Sequence, residues 1–184
     1  MTSRRVGYLI AGTVSAATLF VLWSHWPGPK VYGDGVFADS GVFSGARYHL
    51  RFSEVPLSKV ERYTYHFGGL PKEEYDLILV VKDQRVGNDR ELPTFQEYLE
   101  AVVTDSHGKE ICNGRGILAT NQDGRAWTLS SDPVQPAFWN SKCLAIHIEP
   151  VESYTLAIGV SESDPRSEGV FVMPVVKGGG IELP

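Results

Sequence analysis

The chain has 184 residues, of which 42% are hydrophobic and 21% charged, a composition that suits one globular domain with a short appendage and excludes a disordered chain. Its net charge is −5, and the part after residue 26 carries 15 basic and 22 acidic residues, a net charge of −7. This balance argues against nucleic acid as a partner, because binding to phosphates requires a basic surface.

The N-terminal segment has the pattern of a membrane anchor. Residues 6–26 contain no charged side chain and end at Pro27, where a helix cannot continue. A helix of that length spans about 31 Å, the thickness of a bilayer core. Two arginines precede it, and Trp23 and Trp26 lie at its far end, where indole rings favour the membrane interface. We therefore predict an uncleaved single-pass anchor in the inner (cell) membrane, with residues 1–5 in the cytoplasm and the remainder in the periplasm.

Two other interpretations of this segment stay open, a cleaved signal peptide and a buried helix of a folded core. The small-residue pattern at residues 15–17 is followed by more apolar sequence, which disfavours cleavage. Residues 3–5 resemble the start of a twin-arginine export signal. Gly7 and Tyr8 depart from that pattern, which prefers a bulky apolar pair.

The chain has two cysteines, Cys112 and Cys143, and both follow the predicted anchor. In an oxidising compartment one disulfide is the natural expectation. The alternative is two small buried side chains that never meet. No histidine stands at ligand spacing for a zinc site, and there is no Cys-x-x-Cys redox motif.

The exported part divides into a linker and one domain. Residues 27–46 are rich in Gly, Pro, Ser and Asp, and we interpret them as a linker that passes into a first edge strand. Residues 47–184 show short runs with a period of two, separated by turn residues, which predicts a β-domain. The predicted strands cover residues 48–52, 63–65, 77–81, 98–104, 111 onward, 126–129, 143–148, 154–161 and 169–176.

These strands predict an all-β fold, an antiparallel β-sandwich of the jelly-roll or immunoglobulin-like type, preceded by one transmembrane helix. Residues 105–108, Asp-Ser-His-Gly, predict a hairpin turn. Alternate positions 144, 146 and 148, and likewise 154, 156, 158 and 160, are expected to form one buried face. Residues 94–101 have a composition that suits a short helix, with a bulge between strands as the alternative.

Tyr154 begins a long alternating strand directly after the turn at residues 149–153. This resembles the tyrosine corner of immunoglobulin-like sandwiches. Leu156 replaces the cysteine that antibody domains have two residues after that tyrosine, and the Cys-Trp-Cys spacing is absent. The resemblance covers about a dozen residues, so it supports the architecture and implies no activity.

No pattern for nucleophilic catalysis is present. The Gly-x-Ser-x-Gly elbow is missing, and His49, His66, His107 and His147 are scattered, which favours solvent-facing or locally bonded imidazoles over a metal site. The glycines at 178–180 predict an irregular last strand, since no phosphate-binding sequence follows them. We therefore predict no catalytic residue, no bound metal and no cofactor.

Loop carboxylates are the alternative source of chemistry. They lie between predicted strands, where carboxylates can bind Ca²⁺ or catalyse hydrolysis, although arginines in the same loops compete. An ordinary solvated loop is the simpler interpretation. The acids concerned are Asp83, Asp89, Glu91, Glu162, Asp164 and Glu168.

Two aromatic residues are candidates for ligand binding. Phe138 and Trp139 lie in a loop-rich segment where a sandwich could present a platform to a sugar or a peptide. Trp127 is expected in the core, and Trp139 is the better surface candidate of the pair.

Three functions are compatible with these features. The first is a non-enzymatic, membrane-anchored envelope module that binds a protein or a saccharide. The second is an envelope hydrolase that uses the loop carboxylates Asp89, Glu91, Glu162 and Asp164. The third is an assembly subunit that docks through an exposed sheet edge. The sequence favours the first and third without separating them.

Overall fold

The computed structural model describes residues 29–41, 46–83, 92–120, 126–130 and 136–179. The predicted anchor at residues 6–26 lies outside these ranges. Within them, no helix has the length and apolar character needed to cross a bilayer.

The described chain is almost entirely β-structure. Two single-turn 3-10 segments, Ser141–Cys143 and Pro165–Ser167, interrupt the strands. The strands are β1 (Tyr32–Gly33), β2 (Val36–Asp39), β3 (Tyr48–Arg51), β4 (Val55–Pro56), β5 (Arg62–Gly68), β6 (Glu73–Asp83), β7 (Gln96–Thr104), β8 (Glu110–Ala119), β9 (Thr128–Leu129), β10 (Ala137–Trp139), β11 (Ile146–Ile148), β12 (Ser153–Glu162) and β13 (Val170–Gly178).

The strands form two antiparallel sheets, as the sequence predicted. The smaller sheet has the order β1-β5-β12-β7-β8. The larger sheet has the order β2-β3-β13-β6-β10-β9, with β11 added to β6 and β4 to β13. Every strand pair in the ladders is antiparallel, and one isolated parallel bridge joins Leu118 to Trp127.

The core lies between the two sheets because one face of every long strand is apolar. In β12, Tyr154, Leu156, Ile158 and Val160 are buried and alternate with smaller residues, as the alternation predicted. The largest side chains with almost no exposure are Trp127, Tyr75, Phe67, Phe95 and Phe138.

Of the two alternatives for residues 94–101, the short helix is wrong. Residues 96–101 belong to β7, which pairs along its whole length with β8 on one side and from Tyr98 to Thr104 with β12 on the other. Leu99 and Ala101 point into the core, whereas Gln96 and Tyr98 are exposed. Pairing on both edges thus overrides a composition that suits a helix.

The predicted strand at residues 143–148 is shorter than expected. Cys143 lies in a 3-10 turn, and Ala145 has a φ of 52°, in the left-handed region. That kink breaks the alternation, so Leu144 is 37% exposed, although we expected it to be buried with Ile146 and Ile148. A hydrogen bond of 3.0 Å from the Ala145 amide to Asp76 Oδ1 holds the kink.

Candidate functional site

The outer face of the larger sheet carries an apolar surface at its centre. Arg51, Val175, Ile78 and Trp139 are neighbours across β3, β13, β6 and β10. All four occupy outward positions, because the residues beside them in each strand face the core.

A second row lies next to the first and continues the apolar surface. Met173, Val80 and Ala137 are neighbours across β13, β6 and β10. Val80, Ala137 and Val175 form a buried cluster of their own, separate from the main core, and Ile78 and Met173 pack against it. We call the following six residues the outer patch: Ile78, Val80, Ala137, Trp139, Met173 and Val175.

Positive side chains border the outer patch. Arg51 is exposed beside Val175. Lys177 lies two residues after Val175 in β13, between His49 of β3 and Asp76 of β6. Neither Arg51 nor Lys177 forms an ion pair with another described residue. Lys82, at the end of β6, pairs with Glu54 at 3.2 Å. The outer patch is therefore an apolar cluster with basic side chains at its border, in which Val80, Ala137 and Val175 are buried and Ile78, Trp139 and Met173 are half-buried.

The outer face of the smaller sheet is different. Arg115 contacts Glu100 at 2.5 Å and Glu110 at 3.3 Å, and Arg62 lies 4.0 Å from Glu100. His66 hydrogen-bonds to Thr155 at 3.2 Å across β5 and β12. This face is polar and internally paired, as is usual for the solvated side of an antiparallel sheet. The apolar face of the larger sheet departs from that rule.

The two aromatic candidates lie on opposite faces of β10. Phe138 has 0% exposure, and its ring packs edge-on against Phe95 at 6.4 Å between centroids, so it is a core residue. Trp139 points outward and is half-buried. Strand alternation thus leaves Trp139 alone of this pair on the surface. Trp127 is fully buried, as expected.

Two of the loop carboxylates lie together at one end of the smaller sheet. A cleft of about 380 Å³ lies where the connection from β12 to β13 passes the start of β7, with Glu162 and Asp164 in its lining. Glu97, a residue that the sequence analysis did not select, also lines it. The sequence analysis missed Glu97 because the composition around it suits a helix. In the structure it lies in β7, where its side chain points inward.

Glu97 and Asp164 hold the connection in place. The Asp164 amide donates a 2.7 Å hydrogen bond to Glu97 Oε1, and the Gln96 amide donates one of 3.2 Å to Asp164 Oδ2. Arg166 binds both oxygens of the Asp164 carboxylate and lowers the pKa of that group far below its ordinary value. We call this reciprocal arrangement the Glu97–Asp164 latch.

Glu97 is only 1% exposed, and its Oε2 has no hydrogen-bond partner among the described residues. Burial raises the pKa of Glu97, because removal from water disfavours the charged carboxylate. General acid–base catalysis requires such a group to contact the substrate. Glu97 is closed off from solvent and Asp164 is neutralised by Arg166, so the latch stabilises the connection rather than presenting a reactive group.

The remaining candidates are dispersed. Asp83 ends β6 and Glu168 follows the second 3-10 turn, while Asp89 and Glu91 lie outside the described residues. His49 contacts the carbonyl of Ala46 at 2.8 Å. Among the selected acids that the structure describes, only Glu162 and Asp164 share a cleft.

Cys112 and Cys143 form a disulfide, which confirms that expectation. Cys112 lies in β8 and Cys143 in the 3-10 turn that precedes β11, with a Cα–Cα distance of 4.7 Å. The bond joins the edge strand of the smaller sheet to a connection of the larger one. It is therefore a covalent link between the two layers.

The chain matches no protein-family model. It also matches no curated protein. Among solved structures it is similar to an arabinose-bound α-L-arabinofuranosidase, with 12% sequence identity and a TM-score of 0.29. The match covers 83% of this chain and 22% of that enzyme, so the chain spans about a fifth of the enzyme's length. A likeness this weak carries no argument about fold or function.

Proposed function

We propose that the protein is a non-enzymatic, membrane-anchored module of a bacterial cell envelope that binds a partner protein through the outer patch. The observation that carries the proposal is an apolar sheet face with a basic border on a chain of net charge −5. The half-buried members Ile78, Trp139 and Met173 are the side chains that can contact a partner, and apolar surface with a polar border is typical of interaction sites.

The proposed location depends on two features. The uncharged residues 6–26 are long enough to span a bilayer, and the arginines before them favour a cytoplasmic N-terminus. The disulfide supports an oxidising compartment for the β-domain, since such bonds are rare in the cytosol. The domain is then a periplasmic module tethered to the inner membrane.

Within the sandwich class, the corner at Tyr154 supports the immunoglobulin-like type over the jelly roll. The Glu149 amide donates a 2.8 Å hydrogen bond to the Tyr154 hydroxyl, five residues along the chain. A tyrosine corner has this geometry.

The border of the patch defines the chemistry of the partner. Arg51 and Lys177 form no ion pair with another described residue, so a partner gains most if it places carboxylates opposite them. Between those carboxylates, the partner would place an apolar segment against Trp139, Ile78 and Met173. The partner we infer is a protein surface with an apolar centre and an acidic border.

A second copy of this chain fits the patch less well. Two copies docked face to face would bring the same positive border together, and like charges across an interface cost binding energy. The hydrolase alternative gains no support from the latch, where Arg166 neutralises Asp164.

The experiment is site-specific photo-crosslinking in cells that produce the full chain. A photoreactive residue replaces Trp139 in the outer patch, and in a matched strain it replaces Thr64, which is exposed on the outer face of the smaller sheet. We expect an adduct with one defined polypeptide from position 139 and none from position 64. Mass spectrometry identifies the partner.

The charge contribution is tested by a matched pair of substitutions in the crosslinking strain. Arg51→Glu reverses the border of the patch and should reduce the adduct at least tenfold, whereas Arg62→Glu on the other sheet should leave it unchanged. Equal loss in both variants, or an adduct that contains saccharide and no second polypeptide, would overturn the proposal.

The location is tested on the same full-length protein purified from membranes. Intact mass is measured with and without reductant after thiol alkylation. We expect an uncleaved N-terminus and two cysteines that alkylate only after reduction. Free thiols in an uncleaved soluble chain would contradict the periplasmic location.

A further inference from the structure

Three side chains that commonly bind metals meet at one end of the smaller sheet. Asp105 and His107 lie in the turn between β7 and β8, and Glu152 lies just before β12. One ligand atom of each residue lies within 4.8 Å of the other two. We infer that these three residues form a binding site for Zn²⁺, independent of the outer patch.

The sheet register brings the three residues together. Thr104, the last residue of β7, pairs with Thr155 in β12. Because the strands are antiparallel, the turn that follows Thr104 lies beside the residues that precede Thr155. Asp105 and Glu152, which are 47 positions apart in the sequence, therefore meet at the same end of the sheet.

The turn also fixes which atoms are available. Asp105 Oδ1 accepts hydrogen bonds of 2.9 Å from the amides of both His107 and Lys109. No hydrogen bond within the described chain uses Oδ2, which stays available for a cation. His107 Nδ1 lies 3.3 Å from the Ser106 hydroxyl, so Nε2 is the available imidazole nitrogen. Gly108, with a φ of 80°, supplies the left-handed residue that this turn requires.

The donor set favours zinc over calcium. Ca²⁺ requires six to eight oxygen ligands, whereas Zn²⁺ binds imidazole nitrogen and carboxylate oxygen in sets of three or four. Three protein ligands leave one position for water or for a group from another molecule.

The test is calorimetric titration of the full chain with zinc chloride after treatment with a chelator. We expect one tight site per chain. His107→Gln and Glu152→Gln should each weaken it at least tenfold. Asp105→Asn keeps an Oδ1 acceptor for the two amides, and so preserves the turn, but it removes the negative charge. A similar loss of zinc affinity in this variant would therefore be caused by the missing carboxylate ligand and not by a changed turn.

A histidine elsewhere on the chain supplies the matched control. His147 is 80% exposed and lies 3.6 Å from a single carboxylate, that of Glu74. His147→Gln should bind zinc within twofold of the parent chain. Absence of a tight site in the parent, equal weakening by His147→Gln, unchanged binding in His107→Gln, or tighter binding of calcium chloride would each overturn the inference.

Discussion

Glu97 and Asp164 each accept a backbone amide from the other's segment across the end of the smaller sheet. Glu97 Oε1 accepts the Asp164 amide, and Asp164 Oδ2 accepts the amide of Gln96, the neighbour of Glu97. This latch attaches the β12–β13 connection to β7 through two carboxylates in very different environments. Burial raises the pKa of Glu97, and Arg166 lowers that of Asp164.

The first prediction concerns the pH dependence of stability. The pKa of Glu97 is higher in the folded than in the unfolded chain, so the folded state binds more protons between the two values. The contribution of Glu97 to the free energy of unfolding is therefore greatest when the pH is below the pKa of Glu97 in the unfolded chain. It falls as the pH rises through the pKa of Glu97 in the folded chain. Glu97→Gln should remove this fall and raise stability at pH 7 by about 1 kcal/mol.

Urea unfolding of both proteins from pH 4 to pH 8 measures the effect. Asp105→Asn is the control, because the pKa of that carboxyl is lowered rather than raised. Parallel pH profiles for the parent and Glu97→Gln would show that the buried carboxyl does not contribute.

The second prediction concerns the link between the sheets. Cys112 and Cys143 are 31 positions apart, and closing a loop of that size removes about 3.5 kcal/mol of chain entropy from the unfolded state. The double variant Cys112→Ala, Cys143→Ala should be less stable by about that amount. The urea midpoint of the full chain, with and without reductant, checks this value. A reductant effect that persists in the double variant would contradict the assignment.

The third prediction concerns a glycine beneath the indole of Trp127. A Cβ added at Gly114 would lie 2.9 Å from Trp127 Cζ2 and 3.2 Å from Asn140 Cβ. Gly114→Ala should therefore destabilise the protein by about 2 kcal/mol through overpacking. Gly159, also within a strand, has no atom closer than 3.9 Å to such a Cβ, so Gly159→Ala is the matched control. Equal thermal midpoints for the two variants would refute the packing argument.

The fourth prediction concerns the tyrosine corner. Tyr154→Phe removes the hydroxyl that accepts the Glu149 amide, so the protein should lose about 1 kcal/mol of stability. Tyr63 bonds through its hydroxyl to exposed Glu61, and Tyr63→Phe should therefore be nearly neutral. Chemical denaturation of the two variants makes the comparison. A larger loss from Tyr63→Phe would reverse this interpretation.

The sequence was sufficient for the elements in which local pattern and tertiary structure agree. The alternation in β12 predicted its buried face, and Asp-Ser-His-Gly predicted the hairpin, because the turn residues determine that local geometry. The segment containing Glu97 has a composition that suits a helix, but in the structure it is part of strand β7. Pairing of β7 with β8 and β12 overrides that composition. The kink at Ala145 could not be predicted either, because an acceptor from β6, Asp76, stabilises it.

The candidate sites were harder to predict because they depend on register. Trp139 points outward from β10, but its neighbours Ile78 and Val175 come from strands far away in the sequence. The same holds for Glu152, which only the pairing of β12 with β7 places beside Asp105. A pattern of period two gives the face of each strand and does not give its partners.

The position of β13 has a consequence for synthesis of the chain. This strand follows all its partners in the chain, yet it lies in the middle of the larger sheet, where it pairs with β3, β4 and β6. Val176 pairs with Leu50, so the ribosome must add more than a hundred residues after β3 before that ladder can close. Until then β3 and β6 lack the strand that joins them. The order of the strands thus delays closure of the larger sheet until late in translation.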